Sequence, residues 1–227
     1  MSSIITRSSV LITGGAGFIG ANIVNRFIKL GNKNINLIVK NSTDLTRIKD
    51  ALPKINLYKV DLLNLEKLKK VVKKINPSII IHLATYSEYR DQSAVFKMVD
   101  VNINGTLNLL MATRDLNYDI FINTGSSSEY GIKNKPMKEN DLLEPLSFYA
   151  VTKASATLLC QVFAKEFQKP IVTLRPFSVY GPYEEKKRFI PTIIKAVIEE
   201  KTIKLTPGDQ RRDFIYIDDV IDIYINA

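Results

Sequence analysis

The 227-residue chain has one cysteine, Cys160, so no intrachain disulfide can form, and a reducing interior such as the cytoplasm is the expected setting. It lacks any apolar run near the ~20 residues of a membrane span. The best candidate, Ile79-Ile80-Ile81, stops at His82. The first apolar stretch, Val10-Leu11-Ile12, runs straight into glycines, which suits a strand and not a secretory signal. Repeats and low-complexity segments are missing too. With 45% apolar and 24% charged residues, the disordered and collagenous classes drop out. Nothing in the pattern argues for a metal site, and His82, the only histidine, reads as a satisfied strand-end side chain.

Acid is the scarcer sign of charge: 23 Asp and Glu stand against 32 Lys and Arg, a formal net charge of +9. The basic residues are scattered, with local clusters only at 67–74 and 186–188. The first cluster alternates Lys with Leu68, Val71 and Val72, the pattern of a helix with an apolar inner face and a solvated lysine face. A small anionic ligand is therefore the expected partner, and neither nucleic acid nor a membrane surface is.

Short apolar runs alternate with longer helical patterns. Strand-like segments fall at 10–12, 35–39, 57–60, 79–83, 120–122 and 171–174, and helical ones at 18–30, 65–75, 95–114 and 149–167. Strand, helix, strand, helix implies right-handed βαβ units, and so an α/β fold with a doubly wound parallel sheet of Rossmann-like type. Beyond 175 the pattern loosens into Gly181-Pro182, a helix at 191–200 and an apolar run at 214–217. This divides the chain into a dinucleotide-binding domain at 1–175 and a small or truncated C-terminal lobe at 176–227, with the strand near 214–217 expected to return to the main sheet.

Thr13-Gly14-Gly15-Ala16-Gly17-Phe18-Ile19-Gly20 follows the first strand and opens the first long helix. Gly14, Gly17 and Gly20 let the backbone turn sharply and approach a pyrophosphate, whose charge sits on the helical N–H groups at Phe18 and Ile19. A phosphate loop of the Lys-Ser/Thr type is set aside because Ala21-Asn22 follows the last glycine. About 20 residues on, where Asp or Glu would bond a ribose 2′-hydroxyl, stands Lys40, with Arg47 nearby. Two basic groups there would attract a 2′-phosphate, which favours NADP over NAD.

Tyr149 and Lys153 are four apart at the head of a helical stretch, so both project from one face. A phenol with an ordinary pKa near 10 is a poor base at neutral pH, and an ammonium one turn away brings it toward the working range. Upstream, Thr124-Gly125-Ser126-Ser127-Ser128-Glu129-Tyr130-Gly131 ends the fifth strand, at the sheet edge where ligands bind in such folds. A serine hydroxyl there can bond the same substrate oxygen that Tyr149 protonates.

These motifs, together with Asp61-Leu62, His82-Leu83-Ala84, Asn102 to Thr106, Arg175 to Pro182 and Arg212 to Asp219, occur in the order seen in extended short-chain dehydrogenases/reductases. The chain resembles the NAD(P)-dependent epimerases, dehydratases and reductases that modify nucleotide sugars. The resemblance implies catalysis by Ser126, Tyr149 and Lys153. It implies cofactor contacts from Asp61 and Leu62 at the adenine, Ala84 beside the phosphates and ribose, Asn102 bracing the active-site helix, and Pro176 and Phe177 at the nicotinamide. Ser127, Ser178 and Arg212 are implied on the substrate side, Arg212 gripping the diphosphate of a nucleoside-diphosphate sugar. Ser178 stands where many relatives have Asn.

The resemblance also implies a homodimer through the helices at 95–114 and 149–167, whose apolar residues include Leu107, Leu110, Leu158, Leu159 and Phe163. Relatives that eliminate water carry an acid and a base just after the catalytic Ser/Thr. Here those places hold Ser127 and Ser128, and alternation along a strand edge would turn Glu129 away from substrate. The expected activity is an epimerase or 4-ketoreductase. A 4,6-dehydratase and a catalytically silent NAD(P)-binding sensor or scaffold are the alternatives, and the presence of both Tyr149 and Lys153 argues against the second.

Overall fold

A computed structural model describes residues 2–87 and 94–227. After a short helix α1 (Ser2–Arg7), strand β1 (Val10–Thr13) leads through the glycine turn into α2 (Phe18–Lys29). Then come β2 (Ile35–Val39), a kinked 3₁₀ segment at Thr46–Lys54, β3 (Asn56–Lys59), α3 (Leu65–Ile75) and β4 (Ile79–His82). All four β1 residues and all five β2 residues are buried, which is why these strands read as apolar runs broken only by Thr13 and Asn36. Helix α3 is capped by the Asn64 side chain at its start and stops at Asn76 in the left-handed conformation, φ 45°.

The stretch expected as one helix at 95–114 comprises α4 (Ala94–Met98), a π-helical segment at Val99–Asn104 and α5 (Gly105–Thr113). The widened turn coincides with Asn102, whose amide is fully used. Strand β5 (Ile120–Thr124), α6 (Phe148–Glu166) and β6 (Ile171–Leu174) complete the larger sheet. It is wholly parallel, in the order β3-β2-β1-β4-β5-β6, so β1 is central. One core cluster joins its first face to α2 and to α8 (Ile217–Asn226), through Val24, Phe27, Val220 and Tyr224. The other joins the opposite face to α3, α5 and α6, through Leu68, Leu109, Phe121 and Phe163. The result is a doubly wound three-layer α/β fold.

The apolar run near 214–217 does not return to this sheet. Strand β8 (Phe214–Tyr216) pairs in parallel with β7 (Ser178–Tyr180), forming a separate two-stranded sheet. Pro176, which has no N–H to continue the ladder, follows β6 closely. Beyond it Tyr180 packs edge-on against Phe214, at 6.4 Å, and beside Tyr216, at 5.5 Å. Between these strands lies α7 (Phe189–Ile198). Among the described residues no helix is long and apolar enough to cross a membrane.

Candidate active site

The carboxyl ends of β1, β2, β4 and β5 open into a cleft of about 1390 Å³, which the β7–β8 segment closes from the other side. Of the residues singled out from the sequence, Gly14, Gly17, Phe18, Ile19, Gly20, Lys40, Arg47, Asp61, Leu62, Ala84, Ser126, Ser127, Tyr149, Lys153, Pro176, Phe177, Ser178 and Arg212 all line it. Asn102 does not.

Two glycines shape the floor. Gly14 has φ +73°, and a Cβ on it would stand 2.6 Å from the Ala84 backbone nitrogen. A Cβ on Gly20 would stand 2.3 Å from the Gly14 carbonyl oxygen. Only bare backbone fits either place, so the turn is drawn tight against the β4 end. Helix α2 then starts at Gly17 with no side-chain cap and no acidic residue in its first turn. Uncapped N–H groups with the positive end of the helix dipole suit a pyrophosphate, so the residues present fit a dinucleotide.

His82, at the end of β4, organises the wall beside this floor. It is buried, and its Nδ1 lies 2.6 Å from the Thr13 hydroxyl and its Nε2 2.8 Å from the Thr106 hydroxyl. Thr106 donates its proton to the Asn102 carbonyl at 2.7 Å, so it must accept from Nε2–H, leaving Nδ1 to accept from Thr13. Burial, aided by the Lys153 charge, pushes His82 down to about 3, and the ring is neutral at working pH. Satisfied at both nitrogens, His82 is structural.

Asn102, expected among the cofactor contacts as a brace of the active-site helix, does not line the cleft; the bracing network is what the structure gives it. Its oxygen accepts from Tyr86 N–H (2.7 Å) and the Thr85 hydroxyl (3.1 Å), and its nitrogen donates to Tyr86 O and to the Thr152 hydroxyl, both at 2.9 Å. Thr152 in turn donates to the Tyr149 carbonyl at 2.8 Å. The amide thus ties the loop after β4 to the first turn of α6, which Ser147 caps through Ala150 N–H at 3.1 Å.

Tyr149 and Lys153 project from that turn. Lys153 is buried, donating from Nζ to the Thr124 carbonyl at 2.5 Å. Loss of hydration pulls its ammonium down to about 8, while the nearby Glu129 carboxylate holds it up. Ser126 opens a 3₁₀ turn at Ser127–Tyr130, its hydroxyl 2.5 Å from that of Ser128. Glu129 is buried behind the turn, accepting from Ser126 N–H at 2.7 Å and paired with Arg175 at 2.8 Å. It faces away from the cleft as expected, but strand alternation is not the reason: the segment is helical, and a capping box plus the ion pair turn the carboxylate inward.

Several lining residues went unforeseen. Ser42, Thr43 and Asp44 join Lys40 and Arg47 at the β2 end, and Arg47 Nε donates to the Tyr183 carbonyl at 2.9 Å. Tyr86 and Lys97 line the cleft with the lysine 4.3 Å from the ring centroid, and Arg188 and Gln210 lie on the C-terminal wall with Arg212. Lys97 sits on the short helix α4 and the others are isolated polar residues between elements, and neither kind carries a period or spacing that would reveal it. Among the described residues no cluster of His, Cys, Asp and Glu is arranged to hold a metal ion.

Residues 10–227 match the NAD dependent epimerase/dehydratase family. The chain belongs to that family. Among its relatives, UDP-glucuronate 4-epimerase of Thermodesulfobacterium geofontis is 34% identical over 220 residues, covering 92% of this chain and 68% of the relative. The dTDP-D-glucose 4,6-dehydratase of Dictyostelium discoideum is 30% identical over 95% of this chain and 54% of its own. A crystal structure of UDP-glucuronic acid 4-epimerase from Bacillus cereus, in complex with UDP-glucuronic acid and NAD, superposes with TM-score 0.84 at 32% identity, covering 95% of this chain and 71% of that one. Family membership accounts for the order of motifs from Gly14 to Arg212, and the parallel six-stranded sheet is the family's fold.

Proposed function

We propose that the protein is an NAD(P)-dependent nucleotide-sugar 4-epimerase. The observation that carries this reading is the meeting of Ser126, Tyr149 and Lys153 with the glycine cradle in one cleft, while Glu129 is withdrawn into an ion pair. When bound, the nicotinamide supplies a reversible two-electron acceptor for the hydrogen on the sugar carbon. Tyr149, as phenolate, takes the hydroxyl proton from the same carbon, and Ser126 bonds the oxygen through both states. Lys153 stabilises the phenolate by its charge and is fixed by Thr124. Return of both hydrogens with the intermediate ketone turned over inverts the centre, and no net oxidant is needed.

Arg212, with Arg188, offers the diphosphate a cationic wall, and Pro176 and Phe177 flank the nicotinamide end. In this reading residues 1–175 bind the cofactor, and 176–227 begin the substrate side. Lys40, Ser42, Thr43 and Arg47 favour a cofactor carrying a 2′-phosphate, although the Bacillus cereus structure holds NAD. That basic end supports a second reading, reduction of a 4-keto sugar by NADPH. On the outer face of α6, Val151 (45% exposed), Leu158 (52%) and Val162 (60%) form a stripe that, with Leu107, suits a homodimer, whereas Leu110 and Phe163 pack inward.

The test is to incubate the protein with a panel of nucleoside-diphosphate sugars and NAD(H) or NADP(H), following nicotinamide absorbance and product by NMR. A C4 epimer without net cofactor turnover supports the epimerase, and stoichiometric NADPH consumption with a 4-keto sugar supports the second reading. Release of a 4-keto-6-deoxy sugar, or no conversion across the panel, overturns both.

A further inference from the structure

The Glu129 carboxylate is fully buried, and the chemistry above makes no use of it. Its surroundings are specific. One oxygen accepts the Ser126 N–H at 2.7 Å, and the other is paired with Arg175 Nε at 2.8 Å. Arg175 donates onward to the Tyr130 hydroxyl at 2.9 Å. At Gly125 a Cβ would stand 2.5 Å from the same Glu129 oxygen that holds Ser126, so only glycine allows the approach. One residue earlier, the Thr124 carbonyl takes the Lys153 ammonium. The tripeptide 124–126 is therefore pinned at one end by the catalytic lysine and at the other by a buried carboxylate.

We propose that Glu129 is a positioning residue: it fixes the 124–126 backbone that presents Ser126 at one end and receives Lys153 at the other, and it places a buried carboxylate behind that backbone. The proposal rests on the catalytic reading above and deepens it.

An ammonium taken out of water favours losing its proton unless an opposite charge compensates. Tyr149 lines the same cleft one turn away, and the groups facing Lys153 are Cys160 on its own helix, neutral His82 from β4, and Thr124 with the Tyr224 hydroxyl bonded to it from α8. From the serine turn comes Glu129, with Arg175 behind it. Burial pushes the Cys160 thiol up to about 12, so it carries no charge at working pH. Among these groups Glu129 is the carboxylate, and its field sustains the lysine.

The experiment compares parent, Glu129→Gln and Glu129→Asp. Lys153 is followed by ¹⁵N-lysine NMR, its signal assigned by loss in Lys153→Met, and kcat and KM are measured across pH. Glutamine keeps the acceptor for Ser126 and removes the charge. The lysine midpoint should fall by about one unit or more, cutting the charged fraction about threefold at pH 7.5, with the alkaline limb of kcat moving alike and KM little changed. Aspartate keeps the charge and shortens the reach. It should leave the midpoint in place yet lower kcat, and it carries the test if Glu129→Gln does not fold, with NAD(H) binding as the check. An unmoved midpoint and limb in folded Glu129→Gln, or parental kcat in Glu129→Asp, overturns the proposal. Sugar turnover that is absent in the parent or independent of Tyr149 sinks the catalytic reading instead, while the NMR midpoint still decides the charge effect.

Discussion

Lowering the pH should unfold this protein through His82. In the native state the imidazole is neutral, held between Thr13 and Thr106, and burial pushes it from 6.5 to about 3. In the unfolded chain it titrates near its ordinary value. Between those limits the unfolded state binds a proton that the native state refuses, so unfolding becomes easier as pH falls from about 6.5 toward 3. At about 1.4 kcal/mol per unit, the loss from this one group is about 2 kcal/mol between pH 7 and 5, and about 4 kcal/mol by pH 3. Urea denaturation of the parent and of His82→Gln at both pH values isolates it. The variant should be about 1–3 kcal/mol less stable at pH 7, because two threonine hydroxyls lose a partner, yet flatter by about 2 kcal/mol between pH 7 and 5. With a single histidine in the chain, the ring protons need no assignment in a direct NMR titration. A midpoint near 6.5 in the folded protein, or equal pH slopes for parent and variant, would refute the reasoning.

Three other outcomes follow from the cleft and the outer helices. Gly20→Ala should abolish measurable NAD(H) binding by fluorescence titration, since its Cβ would meet the Gly14 carbonyl at 2.3 Å; parental affinity would mean that the turn does not hold the cofactor. Lys40→Asp should lower affinity for NADP(H) by roughly ten- to a hundredfold, the value of about 1.5–3 kcal/mol for a charge-assisted phosphate contact, and should spare NAD(H); an equal effect on both removes Lys40 from the 2′-position. Leu158→Glu should turn a dimer seen by sedimentation into a monomer without loss of helix content, and a monomeric parent at micromolar concentration counts against the dimer.

Much of this was legible in the chain because periodicity and short-range spacing carry it. The buried strands β1 and β2 are apolar except at Thr13 and Asn36, and the Leu65–Ile75 helix has both its cap and its amphipathic pattern written locally. The glycine turn and the Tyr149–Lys153 pair are local as well. What depended on distant partners was hidden. The pairing of Phe214–Tyr216 with Ser178–Tyr180 joins segments over 30 residues apart, and nothing in either predicts that they leave the main sheet together. The 3₁₀ turn at Ser127–Tyr130 is set by a capping box within the segment and by Arg175, 46 positions from Glu129. Asn102 belongs to a network through Tyr86 and Thr152 that only the folded chain assembles.

The central claim is that Tyr149 moves the hydroxyl proton at a sugar carbon inside this cleft. The direct measurement is epimerisation of a nucleoside-diphosphate sugar by parent and Tyr149→Phe, read as the C4 epimer by proton NMR, with NAD(H) affinity measured on both. Loss of the phenol oxygen should cut turnover about 10²–10⁴-fold with cofactor affinity nearly intact. Epimerisation by Tyr149→Phe at the parental rate would contradict the claim.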